Sequence, residues 1–184
     1  MDRPVELVPL VCLQCARPVP AEVDEIAWAC EQCGLGLYLD VDQGLERLAV
    51  NYTAGIPAGE LGQPYWVASG RVQLQRQTFS GDQDRQAEHF WGEPRRFCVP
   101  AFQCSLEALL SLGIQMLQNS PSLQPGPPAR FQPVTLAKAD LRAAVEFIVM
   151  ALEAGRKDKL KEVRIDLQLE APELWILPGQ KSSF

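Results

Sequence analysis

Two Cys-x-x-Cys pairs near the start of the chain, Cys12/Cys15 and Cys30/Cys33, stand with fourteen residues between them, and no other feature narrows the fold as far. A two-residue gap in a tight turn presents two sulfurs toward a common centre. Two such turns complete a tetrahedral set around one ion. The stretch between them suffices for a strand out, a turn and a strand back: "RPVPAEVDE" supplies prolines and polar residues, and "IAWAC" reads as the returning strand. Gly34 and Gly36 follow the second pair, and glycine there allows the positive φ that turns backbone N–H groups toward the sulfurs. Ala16, after the first pair, makes that turn less favourable.

The same cysteines have rival uses. Structural disulfides need an oxidising compartment. The opening "MDRPVELVPL" lacks the basic-then-apolar pattern of a secretory signal, so the expected location is the reducing cytoplasm. A thioredoxin-like dithiol needs a pair that opens a helix, and no helical periodicity follows either pair.

Cys12-Leu13-Gln14-Cys15 and Cys30-Glu31-Gln32-Cys33-Gly34 make this N-terminal segment resemble the zinc ribbon family. The resemblance implies Zn2+ held by Cys12, Cys15, Cys30 and Cys33. It is unspecific for function, since zinc ribbons occur in transcription and translation factors, as structural clips in enzymes and as protein-docking modules. Rubredoxin-type iron uses the same four sulfurs, normally across a longer segment rich in aromatics; here Trp28 is the only aromatic residue between the pairs.

Charge narrows the partners. The 184 residues carry 17 Lys and Arg against 23 Asp and Glu, a formal net charge of -6. From Leu10 to Asp42 only Arg17 is basic, among Glu22, Asp24, Glu25, Glu31, Asp40 and Asp42. Four thiolates around a divalent ion add about two more negative charges. A phosphate backbone is repelled from such a face. The longest apolar run, "AAVEFIVMAL", falls short of the roughly 18 residues that a membrane span needs and contains Glu146.

Beyond the cysteines, "LERLAVNY" reads as one short strand (Leu45 to Tyr52), and residues up to Pro64 as a loop. Tyr65 to Phe79 reads as a long half-buried strand bent at Gly70, with Val72, Leu74 and Thr78 facing in and Gln73, Gln75 and Gln77 facing out. Ser80 to Arg95 reads as a polar loop. Arg96 to Cys104 is extended and pairs antiparallel with the preceding strand.

A helix capped by Ser105 follows, with Leu106, Leu109, Leu110 and Leu117 at helical spacing. Five prolines between Pro121 and Pro133 impose an extended connector. The next helix, Leu136 to Ala154, is capped by Thr135 and ended by Gly155. It sets Leu141, Ala144, Val145, Ile148 and Leu152 against Lys138, Arg142, Glu146 and Glu153. "KEVRIDLQLE" alternates as a strand, "ELWILP" forms the last strand, and "GQKSSF" a frayed tail. The expectation is α+β: a zinc ribbon over residues 1–43, then over 44–184 a mostly antiparallel sheet with two main helices and a proline-rich connector at 120–133.

Catalytic signals are missing. His89 is the only histidine, and no phosphate-binding, dinucleotide-binding or nucleophile-elbow motif occurs. Cys98 and Cys104 read as small core residues. Asp82 and Asp84 have calcium-loop spacing without the remaining ligands. Arg156, Lys157, Lys159, Lys161 and Arg164, interleaved with Asp158 and Glu162, read as a solvated face.

Most of the large aromatics, among them Trp66, Trp175, Tyr65, Phe97 and Phe102, read as core. The exception is "HFWGEP", which offers His89, Phe90 and Trp91 as a docking surface. The resulting expectation is a non-catalytic zinc-bearing adaptor or accessory subunit that binds another protein in a cytoplasmic complex. The alternatives are a nucleic-acid-associated ribbon factor and a rubredoxin-like electron carrier.

Overall fold

The computed structural model describes residues 9–80 and 83–179. It is an α+β fold in which a small three-stranded sheet sits against a larger one. The small sheet runs β1 (Ala27–Ala29), β2 (Gly36–Asp40), β3 (Gly44–Leu48), all antiparallel. Asp40 accepts the N–H groups of Asp42 and Gln43, which closes the β2–β3 turn. Residue 43, the expected end of the ribbon, lies in this turn, inside one sheet. Where one strand was expected over Leu45 to Tyr52 there are two. The break at Ala49 passes the chain from the small sheet into β4 (Val50–Tyr52) of the larger one.

The larger sheet is organised on β5 (Gln63–Ser80). One edge of its first half pairs antiparallel with β6 (Arg95–Pro100), from Tyr65↔Pro100 to Gly70↔Arg95, as the sequence predicts. Its other edge pairs with β7 (Lys159–Leu169) and then β8 (Glu173–Leu177), which follow each other in the same direction. Between them lies Pro172, which has no N–H to give the ladder, while Glu170 still donates to the carbonyl of Ser69 at 2.9 Å. β4 joins outside β8 in parallel.

Gly70 is paired on both edges at once, with Arg95 of β6 where that pairing ends and with Leu169 of β7 where that one begins. A Cβ there would lie 2.6 Å from Leu169 Cδ2 and 2.9 Å from the carbonyl of Gln168, so only glycine lets the strands approach.

Three helices are described: α1 (Asp84–Trp91), α2 (Leu106–Gln118) and α3 (Leu141–Ala154). Two faces of β5 are covered. Trp66, Phe97, Val99, Val145, Ile148 and Leu174 share the main core, whereas Tyr65, Val67, Cys98 and Met116 form a second cluster. Helix α2 spans both, with Leu117 in the first and Met116 in the second. Each large apolar side chain so enclosed contributes about 1.5–3 kcal/mol. Among the described residues no helix is long and apolar enough to cross a membrane.

Several local expectations change. The polar loop over Ser80 to Arg95 contains α1, which buries Ala87 and Trp91 one turn apart. Ser105 caps α2 as predicted, its Oγ accepting from Ala108 N–H at 3.2 Å, but Leu106 is 59% exposed and outside the core. Thr135 does not cap α3. A 3-10 turn (Lys138–Asp140) intervenes, and the Thr135 N–H instead donates to the carbonyl of Ala101. Glu153 is not on the solvent face of α3: it follows Val145 and Val149 at four-residue spacing and is fully buried. Cys98 is buried as expected, while Cys104 is only half-buried. The expected frayed tail from 180 onward lies outside the described residues.

Candidate metal centre

The cysteine head consists of two matching turns. In the first, Cys12 C=O accepts from Ala16 N–H at 2.9 Å and Cys12 N–H donates to Arg17 C=O at 2.8 Å. In the second, Cys30 C=O accepts from Gly34 N–H at 2.7 Å and Cys30 N–H donates to Leu35 C=O at 2.8 Å. Each turn needs a left-handed residue just after its second cysteine, at Ala16 (φ 56) and Gly34 (φ 73). Glycine adopts it freely; alanine does so at a cost of about 1–2 kcal/mol. The sequence expectation of a poorer first turn is met by strain, not by a different shape.

The turns bring the four sulfurs together. Cys12 Sγ lies 3.5 Å from Cys33 Sγ and Cys15 Sγ lies 3.6 Å from Cys30 Sγ. All four lie within 4.8 Å of one another. A tetrahedral ion with metal–sulfur bonds of about 2.3 Å requires sulfurs roughly 3.8 Å apart, so the donor set fits a metal ion.

Electrostatics points the same way. Backbone N–H groups of Cys15 and Gln14 aimed at Cys12 lower its thiol to about 6. The N–H of Leu35 favours the Cys33 thiolate, yet burial and the sulfurs of Cys12, Cys30 and Cys15 push it up to about 12. Cys15 is also raised: burial and the sulfurs of Cys30 and Cys12 outweigh the N–H of Arg17. Four thiolates this close need a cation between them.

Alternation along β1 and β2 gives the head two faces. Trp28 and Leu37, paired across the strands, join Cys12, Val19 and Cys30 in a small core beneath the sulfurs. Ala27 and Tyr38, the neighbouring pair, face the main core. There the Tyr38 ring meets Trp66 edge-on at 6.0 Å, its hydroxyl accepts from Lys138 N–H at 3.1 Å, and Lys138 Nζ lies 4.1 Å above the ring. Ile26 N–H donates to Val134 C=O at 2.9 Å, tying the head to the proline-rich strap.

The structure disperses the other candidates. His89 is exposed on the last turn of α1 and Phe90 is half-buried, its ring beneath the Arg95 guanidinium at 4.2 Å. Trp91, grouped with them as a docking surface, is 6% exposed, and its indole N–H donates to Glu153 Oε1 at 2.9 Å. Asp84 opens α1 and pairs with Arg76 at 2.6 Å, while Asp82 lies outside the described residues.

Sequence reasoning missed the network to which that pair belongs. Arg76 Nε faces Glu153 Oε2 at 2.9 Å, an ion pair without hydrogen-bond alignment, and its Nη2 reaches Asp158 at 3.0 and 3.1 Å. Arg156 Nε donates to Glu153 Oε1 at 2.8 Å. The signal was Arg76 itself, a cation in the inward register of β5 between Leu74 and Thr78. The chain matches no family model, no curated protein and no solved structure.

Proposed function

We propose that the four cysteines hold zinc as a structural ion, and that the protein is a non-catalytic adaptor or accessory subunit binding another protein in a cytoplasmic complex. The observation that carries this reading is the closed donor set: four protein sulfurs within 4.8 Å saturate a tetrahedral ion and leave it no position for a substrate. The head's own core, five buried residues of which two are ligands, is too small to stabilise the head without the ion. The acidic head disfavours nucleic acid.

Purification of the native protein with its companions tests this, with elemental analysis of the product and a parallel purification of the Cys30→Ser/Cys33→Ser variant. The expected product is colourless, contains zinc, and retains a protein companion that the variant loses. Iron with visible absorption would make it an electron carrier. A companion nucleic acid, released steeply by salt, would overturn the protein-binding reading.

A further inference from the structure

Between the cysteine head and the proline-rich strap lies a cleft of about 950 Å3. That is near the upper end of the range for small-molecule sites, roughly 300–1,000 Å3, and suits a short stretch of extended chain. Trp28 lines it from the head, Phe131 from the strap, and Tyr52 from β4.

Three features of this cleft point to one kind of occupant. The first is a poorly satisfied donor: Trp28 is 4% exposed, and its buried indole N–H has no well-aligned acceptor. Such a group costs about 1–3 kcal/mol. Glu25, also lining the cleft, is a carboxylate on which this indole acts. Burial pushes its carboxyl up, while the Glu22 N–H and the Trp28 indole pull it down.

The second is aromatic surface. Tyr52 and Phe131 are both half-buried, with ring centroids 6.3 Å apart and planes tilted by 55°, and such faces attract cations. The third is charge. Glu22, Glu25 and Glu31 line the cleft against Arg17 and Arg130, and none of the three carboxylates is ion-paired among the described residues. A divalent ion held by four thiolates, one of them Cys30 on the cleft lining, adds about two more negative charges.

We propose that this cleft docks an extended, lysine- or arginine-bearing peptide segment of a partner protein. A main-chain carbonyl of the segment accepts the Trp28 indole N–H. A cationic side chain of the segment lies on Tyr52 and Phe131, and the three glutamates answer its charge. The proposal rests on the protein-binding reading above and supplies the chemistry of the partner.

The test uses the full-length, metal-loaded protein and fluorescence anisotropy of three labelled probes. These are a short peptide alternating proline with lysine and arginine, the same peptide with glutamate in place of each cation, and oligouridine RNA. The cationic peptide is expected to bind, and Glu22→Lys/Glu31→Lys to weaken it by about tenfold or more, as like charges in a docking cleft do. Glu107→Lys, at an exposed position in the first turn of α2, leaves binding unchanged. Trp28→Phe, with metal content and circular dichroism checked, keeps an aromatic side chain, removes the donor and weakens binding.

Preference for the acidic peptide or for RNA would overturn the proposal. So would cationic-peptide binding indifferent to Glu22→Lys/Glu31→Lys. No binding of the cationic peptide would also sink it, while metal-dependent retention of a native companion would leave the broader reading standing.

Discussion

Replacing Arg76 by methionine removes the cation at the centre of the buried network while keeping most of the side chain's length. The side chain of Arg76 is 4% exposed, and those of Glu153 and Asp158 are fully enclosed. Glu153 would keep Arg156 and the Trp91 indole. Asp158, whose two oxygens both accept from Arg76 Nη2, would face the interior without a counter-charge. Removing one partner of a buried pair costs about 3–5 kcal/mol, because the remaining charge has left water without compensation. That is a large share of the 5–15 kcal/mol that typically separates folded from unfolded chains.

Urea unfolding of the metal-loaded protein, followed by far-ultraviolet circular dichroism and by tryptophan fluorescence, measures the effect. With a slope of about 1–3 kcal/mol per molar urea, the midpoint is expected to fall by more than about 1 M. Adding Asp158→Asn to Arg76→Met should recover part of the loss, since the orphaned charge goes with it. Arg76→Met costing under about 1 kcal/mol, the value of a solvated pair, would refute the argument that this network is dry.

Ala16→Gly is expected to stabilise the head by up to about 1 kcal/mol, the relief of the left-handed penalty less glycine's extra entropy, read as tighter metal retention against a chelator. Gly113→Ala should destabilise by about 1–3 kcal/mol, because its Cβ would meet Ile148 Cδ1 at 2.4 Å and Cγ1 at 2.8 Å; combining it with Ile148→Val should return part of that in the same urea assay. Burial pushes the Cys98 thiol up to about 11 from an ordinary 9.0. Its contribution to stability is therefore complete below pH 9 and lost as pH rises toward 11, a decline that Cys98→Ala should reduce when urea midpoints are measured across that window.

Where local pattern and final environment agree, the sequence could be read. The cysteine turns, the β5–β6 pairing, the Ser105 cap and the alternation of Val163, Ile165, Leu167 and Leu169 in β7 each depend on residues a few positions apart or on one clear partner. What could not be read depends on distant pairing. Arg76 and Glu153 look like solvent-facing charges because charge is normally excluded from cores. Only when β5, α3 and the turn after it converge do they satisfy one another, 77 positions apart in numbering. Helix α1 was hidden for a related reason: its buried face is little more than Ala87 and Trp91, too sparse for a periodic signal in a charged stretch. At Ala49, one short apolar run serves two sheets, and no local pattern announces the change.

The head and the larger sheet are not independent modules joined by a linker. Because β1 and β2 alternate, the same two strands carry Trp28 and Leu37 to the sulfur side and Ala27 and Tyr38 to the main core. A metal bound by the four sulfurs would order strands whose opposite face completes the packing around Trp66, and that packing in turn holds the strands from which the second cysteine turn projects. Free energy from such an ion would reach the larger sheet through one residue of rise along a strand. The cleft has one wall on this ordered head and another on the strap, which the Ile26–Val134 hydrogen bond ties to it. An ion there would hold in place the wall that presents Trp28 and the glutamates, so the proposed recognition would depend on a metal that does not touch the bound partner.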